Sequence, residues 1–150
     1  MLQSSTVEAA TDQLHARERL GWSASPPTGL RIEPGEWRVF TATKANTLML
    51  GEPLAVTRML NAAWLTLGRP VFWCDGPRLT LPEGQTGTFV LWRVDELRAE
   101  DQQQLFGWLD RRGATRVLAR APRSVFPLVQ QGQFLPGLYY RLNTLILQTA

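Results

Sequence analysis

The sequence predicts an α/β fold of three layers, a parallel sheet of about five strands with helices on both faces. Three observations carry this. Short, continuous apolar runs alternate with segments of helical periodicity, the pattern of βαβ units. The runs are apolar throughout rather than at every second residue, as expected of strands covered on both sides. The chain has 150 residues, 44% of them hydrophobic and 19% charged, enough for one domain with a sizeable core.

Along the chain, residues 4–19 read as a first helix. Ser4, Ser5 or Thr6 can cap it, and Val7, Leu14 and Leu20 supply an apolar stripe. SASPPTG, residues 23–29, is a linker by its prolines, glycine and small polar residues. The expected division is therefore 1–29, a helix with its linker, and 30–150, the α/β core. IEPGEWRVF, 32–40, suggests a Pro-Gly turn followed by a short apolar segment. NTLMLG, 46–51, is a strand ending at glycine. Residues 55–67 form a helix, with Val56, Met59, Leu60, Ala63, Trp64 and Leu67 at helical spacing.

RPVFWCDG, 69–76, is a second strand, 79–87 a loop, and Phe89 to Val94 a third strand. Residues 98–111 make an amphipathic helix with Leu105, Trp108 and Leu109 inward, and Gly113 is placed to end it. TRVLARA, 115–121, is a fourth strand, broken by Pro122. SVFPLVQQGQF holds a short helix. LPGLYYRLN leads into a last strand, 144–148.

The composition excludes several kinds of chemistry. Cys74 and His15 are the sole residues of their types. No disulfide, cysteine-cluster metal site or Ser-His-Asp triad can be built from them. No apolar run has the ~18 residues of a membrane span, and the N-terminus lacks the apolar stretch of a signal peptide, so a cytoplasmic protein is expected. The net charge is +3, and 15 of the 16 basic residues are arginine, Lys44 being the exception. Arginines 111, 112, 116, 120 and 123 invite a nucleic-acid reading. Their scatter, and the fit of Arg111 and Arg112 to a helix C-terminus, argue instead for a compositional bias.

From residue 44 to 148 the order of segments resembles the AAA+ domain of bacterial enhancer-binding activators, the partners of sigma-54. Leu50-Gly51-Glu52 stands where that family begins its phosphate loop, L-G-E-S-G-T-G-K-E. VFWCD matches a second strand ending near V-N-C. Leu81-Pro82-Glu83 and GTFVLWRVDELR follow the family's L-P-E and G-G-T-L-F-L-D-E-V-G-E-L-P. Arg116-Val117-Leu118-Ala119 matches R-V-I-A-A-T-N. Gly132-Gln133-Phe134-Leu135-Pro136-Gly137-Leu138-Tyr139-Tyr140-Arg141-Leu142-Asn143 matches G-x-F-R-x-D-L-Y-Y-R-L-N, the most specific part.

The resemblance implies a P-loop fold whose catalytic positions are altered. After Gly51 and Glu52, the glycines that cradle phosphate are replaced by Leu54 and Val56, the lysine by Thr57, and Pro53 lacks an N–H. Arg58 is the only nearby cation that can stand in. Trp92 and Arg93 occupy the positions of the acids that hold magnesium and orient water, and neither supplies the oxygen ligands magnesium takes. Asp95 and Glu96 fall beyond the strand end. Pro122 replaces the polar sensor. Of the two arginines near the finger, one is Leu135 and the other, Arg141, is kept. The sequence also departs from the resembled family, with only the short loop Gly76 to Thr86 where the sigma-contacting insertion would lie, and neither a helical lid nor a DNA-reading domain is expected.

The expectation is a non-catalytic, AAA+-like regulatory protein without cofactor or metal. It is expected to bind a protein partner, an activator subunit or a second copy of itself, with Phe134, Tyr139 and Arg141 as the candidate partner surface. Nucleic acid and membrane are not expected partners. The alternative is a sensor of a nucleotide-type ligand such as cyclic-di-GMP, using Arg31, Arg38, Arg58 and Arg120.

Overall fold

The computed structural model describes residues 25–84 and 86–149. The helix expected over 4–19 lies outside the described residues. Five strands, β1 (Thr47–Leu50), β2 (Val71–Cys74), β3 (Thr88–Leu91), β4 (Arg116–Ala121) and β5 (Leu145–Gln148), form one sheet in the order β2-β3-β4-β1-β5. Every neighbouring pair is parallel. In register, Met49 of β1 lies between Arg120 of β4 and Leu147 of β5.

Helix α1 (Pro34–Ala42) precedes β1. The crossovers that parallel strands need are α2 (Pro53–Ala63) from β1 to β2, α3 (Ala99–Leu109) from β3 to β4, and α4 (Phe126–Gln130) with α5 (Pro136–Leu142) from β4 to β5, while among the described residues no helix joins β2 to β3. Alternation along the strands decides what each helix touches. Leu48, Leu50, Phe89, Leu91, Val117 and Ala119 pack against Leu105, Trp108 and Leu109 of α3 and Leu138 and Leu142 of α5. Met49, Val90, Leu118 and Leu147 point the other way, onto Trp37 and Phe40 of α1 and Val56, Met59, Leu60 and Ala63 of α2. The sheet is thus covered on both faces, as its unbroken apolar strands require.

Two segments are helical where the sequence predicts no helix. Residues 32–40 belong largely to α1. Glu33 caps it, accepting from the N–H groups of Gly35 and Glu36 at 3.4 and 3.3 Å, and Pro34 takes the first helical position, where its missing N–H costs nothing. Trp37 and Phe40 are fully buried, an anchor of roughly 3–6 kcal/mol by area bookkeeping. The second is α5, where Pro136 again starts a helix with Leu138, Tyr139 and Leu142 inward. In α1 the helix-starting proline followed by glycine had the look of a turn, whereas the α5 segment carried no assigned element.

Other boundaries move less. The helix expected over 55–67 begins at Pro53 and ends in a 3₁₀ turn, Trp64–Thr66. β3 stops at Leu91, and the chain turns through Trp92 and Arg93 into a 3₁₀ turn, Val94–Glu96. After α3, Gly113 adopts φ +62° as expected of a helix-ending glycine. The described part of the linker folds back on the core. The Arg31 N–H donates to the Thr149 carbonyl at 3.3 Å, and an Arg58 Nη donates to the Thr28 carbonyl at 2.6 Å.

Candidate functional site

β1 and β4 are neighbours whose following helices depart to opposite faces of the sheet. α2 leaves toward one side, α4 and α5 toward the other. At such a switch point the carboxyl ends of the strands open a crevice where α/β proteins bind ligands. Here a shallow cleft of about 190 Å³ is lined by Leu50, Gly51, Pro122, Arg123, Ser124 and Gln148. It continues past Pro122, Arg123 and Ser124 into a second hollow of about 400 Å³ reaching Asp95.

The turn leaving β1 decides what this cleft can hold. β1 ends at Leu50 and α2 begins at Pro53, so Gly51 and Glu52 alone connect them. The Gly51 N–H is consumed by the sheet, donating to the Ala121 carbonyl at 3.0 Å. Pro53 has no N–H, and the Val56 N–H already donates to the Glu52 carbonyl at 3.1 Å. In the first turn of α2 this leaves the N–H groups of Leu54 and Ala55, and no side chain caps the helix. A phosphate cradle needs a run of converging N–H groups. The end of β5 also presses on the turn, since a Cβ at Gly51 would collide with the Thr149 hydroxyl.

The sequence-predicted residues fall as follows. Gly51 lines the cleft, and Glu52 is the N-cap of α2. Val56 is fully buried in the core beneath α2. Thr57 lies within α2 and donates its hydroxyl to the Pro53 carbonyl at 2.8 Å. Arg58, the possible stand-in for lysine, is held by Thr28 on the linker.

Trp92 does sit at the end of β3. Its N–H extends the ladder to the Cys74 carbonyl at 3.0 Å, and its ring packs against Trp73 with centroids 5.6 Å apart. The Arg120 guanidinium lies over the same ring, 5.1 Å from its centroid, while its Nε donates to the Gly51 carbonyl at 3.1 Å. A cation–π contact of this kind contributes on the order of 1–2 kcal/mol when desolvated. Trp73, Trp92 and Arg120 thus close the ends of β2, β3 and β4 on the α2 face.

Arg93 pairs with Glu96 at 3.6 Å, both side chains about half exposed, a contact worth little. Asp95 is half-buried, and burial raises its carboxyl above the usual carboxylate range, with Glu96 adding to the effect.

The expected partner surface is corrected by burial. Phe134 and Tyr139 are 2% and 8% exposed and belong to the core between α3 and α5. Phe134 follows the α4 turn inward, and Tyr139 is on the inner side of α5. The exposed rings there are Tyr140 and Phe126. Arg141 does reach the surface, where it pairs with Asp110 at 2.9 Å and donates to the Leu109 carbonyl at 3.2 Å. Among the candidate ligand-sensing arginines, Arg58 and Arg120 have partners within the protein, and Arg31 and Arg38 are exposed.

Two contributors, Thr149 and Gln102, escaped the sequence reading. Arg123, weighed there only for nucleic acid, lines the cleft, and Thr149 presses on its glycine turn. Gln102, 3% exposed on α3, holds the segment before α5 by two hydrogen bonds, to Gln133 and Leu135, and makes a third to the Leu97 carbonyl. One signal was readable: Arg116 and Arg120 are four apart in a continuous apolar strand, so both must point into the same covered face.

A parallel sheet of this order, with its crevice between β1 and β4 and a glycine turn into α2, has a P-loop NTPase-like α/β fold. The chain is similar in structure to NtrX from Brucella abortus in complex with ADP, with a TM-score of 0.64 and 16% identity, covering 99% of this chain and 42% of that one. NtrX in complex with ATP gives a TM-score of 0.66 and 14% identity, with 99% and 40% covered. The P-loop NTPase domain of a sigma-54 transport activator from E. coli gives 0.54 and 20% identity, covering 77% of this chain and 94% of that domain. The chain therefore spans about two fifths of NtrX and shares the fold of these domains. No protein-family model matches the chain, and no curated protein matches it.

Proposed function

We propose that this chain is a non-catalytic AAA+-like regulatory protein, related to sigma-54-dependent activators, that acts in the cytoplasm by binding a protein partner. The observation that carries the reading is the two-residue connection of β1 to α2. It leaves too few free N–H groups for a triphosphate, and no lysine follows it. Phosphoryl transfer depends on positioning and on charge stabilisation. At the strand ends, Trp92 and Pro122 stand in place of oxygen donors. Retention of the Phe134–Asn143 segment, folded into the core, supports a scaffold kept for its shape. The partner of this reading is an activator subunit or a second copy of the chain, met through the face carrying Tyr140, Phe126 and the Arg141–Asp110 pair.

The test has two arms. Purified protein with magnesium and ATP should release no phosphate above buffer. Hydrolysis abolished by Arg58→Ala or Asp95→Asn would refute the non-catalytic reading. Affinity capture from the source cell, with mass spectrometry, should recover an AAA+ activator, or sedimentation should show self-association. Neither outcome at concentrations well above micromolar would refute the partner reading.

A further inference from the structure

The opposite end of the sheet holds a second, differently built cavity. It lies where the chain enters β3 and β4, has a volume of about 250 Å³, and is lined by Lys44, Arg69 and Arg116 with no carboxylate. A water molecule takes about 30 Å³ of liquid, so the space exceeds a single ion and its shell.

Arg116 is the informative residue. It is 4% exposed at the first position of β4. Its Nε donates to the Ala45 carbonyl at 2.8 Å and one Nη to the Thr47 hydroxyl at 3.2 Å. The other three N–H donors have no protein acceptor among the described residues, and no carboxylate there pairs with it. The Phe40 ring lies 4.8 Å from its guanidinium and offers only partial compensation. Burial lowers its pKa to about 10, the mark of a charge without a counter-charge. A buried, unneutralised guanidinium is costly, and one lining a cavity is poised to take an anion.

The surroundings fit. Arg69 stacks on Trp64 at 4.2 Å, which fixes its guanidinium at the rim. The hydroxyls of Thr66 and Thr88 already donate to the Ala63 and Gly68 carbonyls at 2.6 and 2.9 Å. Recognition therefore rests on the three cations, which favours a multivalent oxyanion over a neutral ligand.

We propose that Lys44, Arg69 and Arg116 form a binding site for a small phosphate-class anion, such as a phosphomonoester or pyrophosphate, at the end of the sheet remote from the phosphate-loop position. The site owes nothing to the nucleotide cleft, so it stands or falls separately from the non-catalytic reading.

The probe is inorganic pyrophosphate, titrated into the full chain by calorimetry and by amide NMR. Saturable one-to-one binding is expected, with shifts confined to Lys44, Gly68, Gly87 and their neighbours. Arg116→Met should weaken it at least tenfold. That variant should still fold, because the Thr47 hydroxyl continues to donate to the Ala45 carbonyl at 3.0 Å. If it does not fold, the exposed pair Lys44→Gln and Arg69→Gln carries the test with the same expectation. Absence of saturation at millimolar pyrophosphate overturns the proposal. So does binding unchanged in these variants, binding lost in Arg123→Gln instead, or binding of duplex DNA without binding of pyrophosphate.

Discussion

Gln102→Leu isolates what holds the Phe134–Asn143 segment in place. Gln102 is buried on α3, and its amide makes three bonds to backbone. Nε2 donates to the carbonyls of Leu97 and Gln133, both at 3.0 Å, and Oε1 accepts from the Leu135 N–H at 2.9 Å. Leu135 is the N-cap of α5, whose own side chain caps nothing, so this bond serves a helix-end donor. Leucine fills nearly the same space and leaves all three backbone groups without that partner. Each buried orphan costs about 1–3 kcal/mol. Gln133 is exposed, so water can satisfy its carbonyl. Two orphans remain, offset in part by leucine's apolar burial, for a net loss of about 2–4 kcal/mol. Urea denaturation followed by tryptophan fluorescence should show the midpoint falling by roughly 1–2 M with the slope unchanged, given slopes near 2 kcal/mol/M. Gln102→Glu keeps the acceptor for Leu135 but turns a second oxygen on two carbonyls, and should be at least as destabilising at neutral pH. A loss below about 1 kcal/mol for both variants would show that the amide network does not carry the segment.

Other outcomes follow from the same structure. Gly51→Ala should cost about 1–3 kcal/mol by overpacking against Thr149, and Thr149→Ala in the same chain should recover part of it; additive losses in thermal melts would contradict that contact. Gly87→Ala should cost more, about 2 kcal/mol or above. Gly87 has φ +103° and a Cβ there would strike the Pro70 carbonyl, so near-wild-type stability would count against the described crossing of the β2 and β3 entries. Asp95 carries a pH prediction. Its folded pKa is raised, so the stability it contributes is present in acid and lost as pH rises through the carboxylate range. Asp95→Asn should therefore melt above the wild type at pH 7, with the gap narrowing in more acid solution, and a lower melting point at pH 7 would reverse the assignment.

Much of the fold could be read from local pattern because its strands are covered on both faces. NTLML, TFVL and RVLARA are apolar enough to be nothing but interior strands, and the spacing of Val56, Met59, Leu60 and Ala63 leaves one face for α2 to bury. The departures on which the proposed non-catalytic reading rests, at Thr57, Trp92, Arg93 and Pro122, are matters of residue type and need no packing to be read. Local pattern did less well with α1 and α5. There Pro-Gly opens a helix, and only the depth to which Trp37, Phe40, Leu138 and Tyr139 are buried distinguishes that from a turn.

Residue type and period are written in the chain, and they were sufficient for the class of fold. Which partner each side chain meets was settled only by packing. Phe134 and Tyr139 had the look of a docking surface until the folded core buried them, and Arg120 became a lid on Trp92 because β3 and β4 are neighbours. Arg116 is a buried cation without a carboxylate for the same reason: its surroundings come from segments distant in sequence, Phe40, Lys44 and Arg69 among them. A one-dimensional pattern specifies a face, and the neighbour across that face exists only once the sheet has closed.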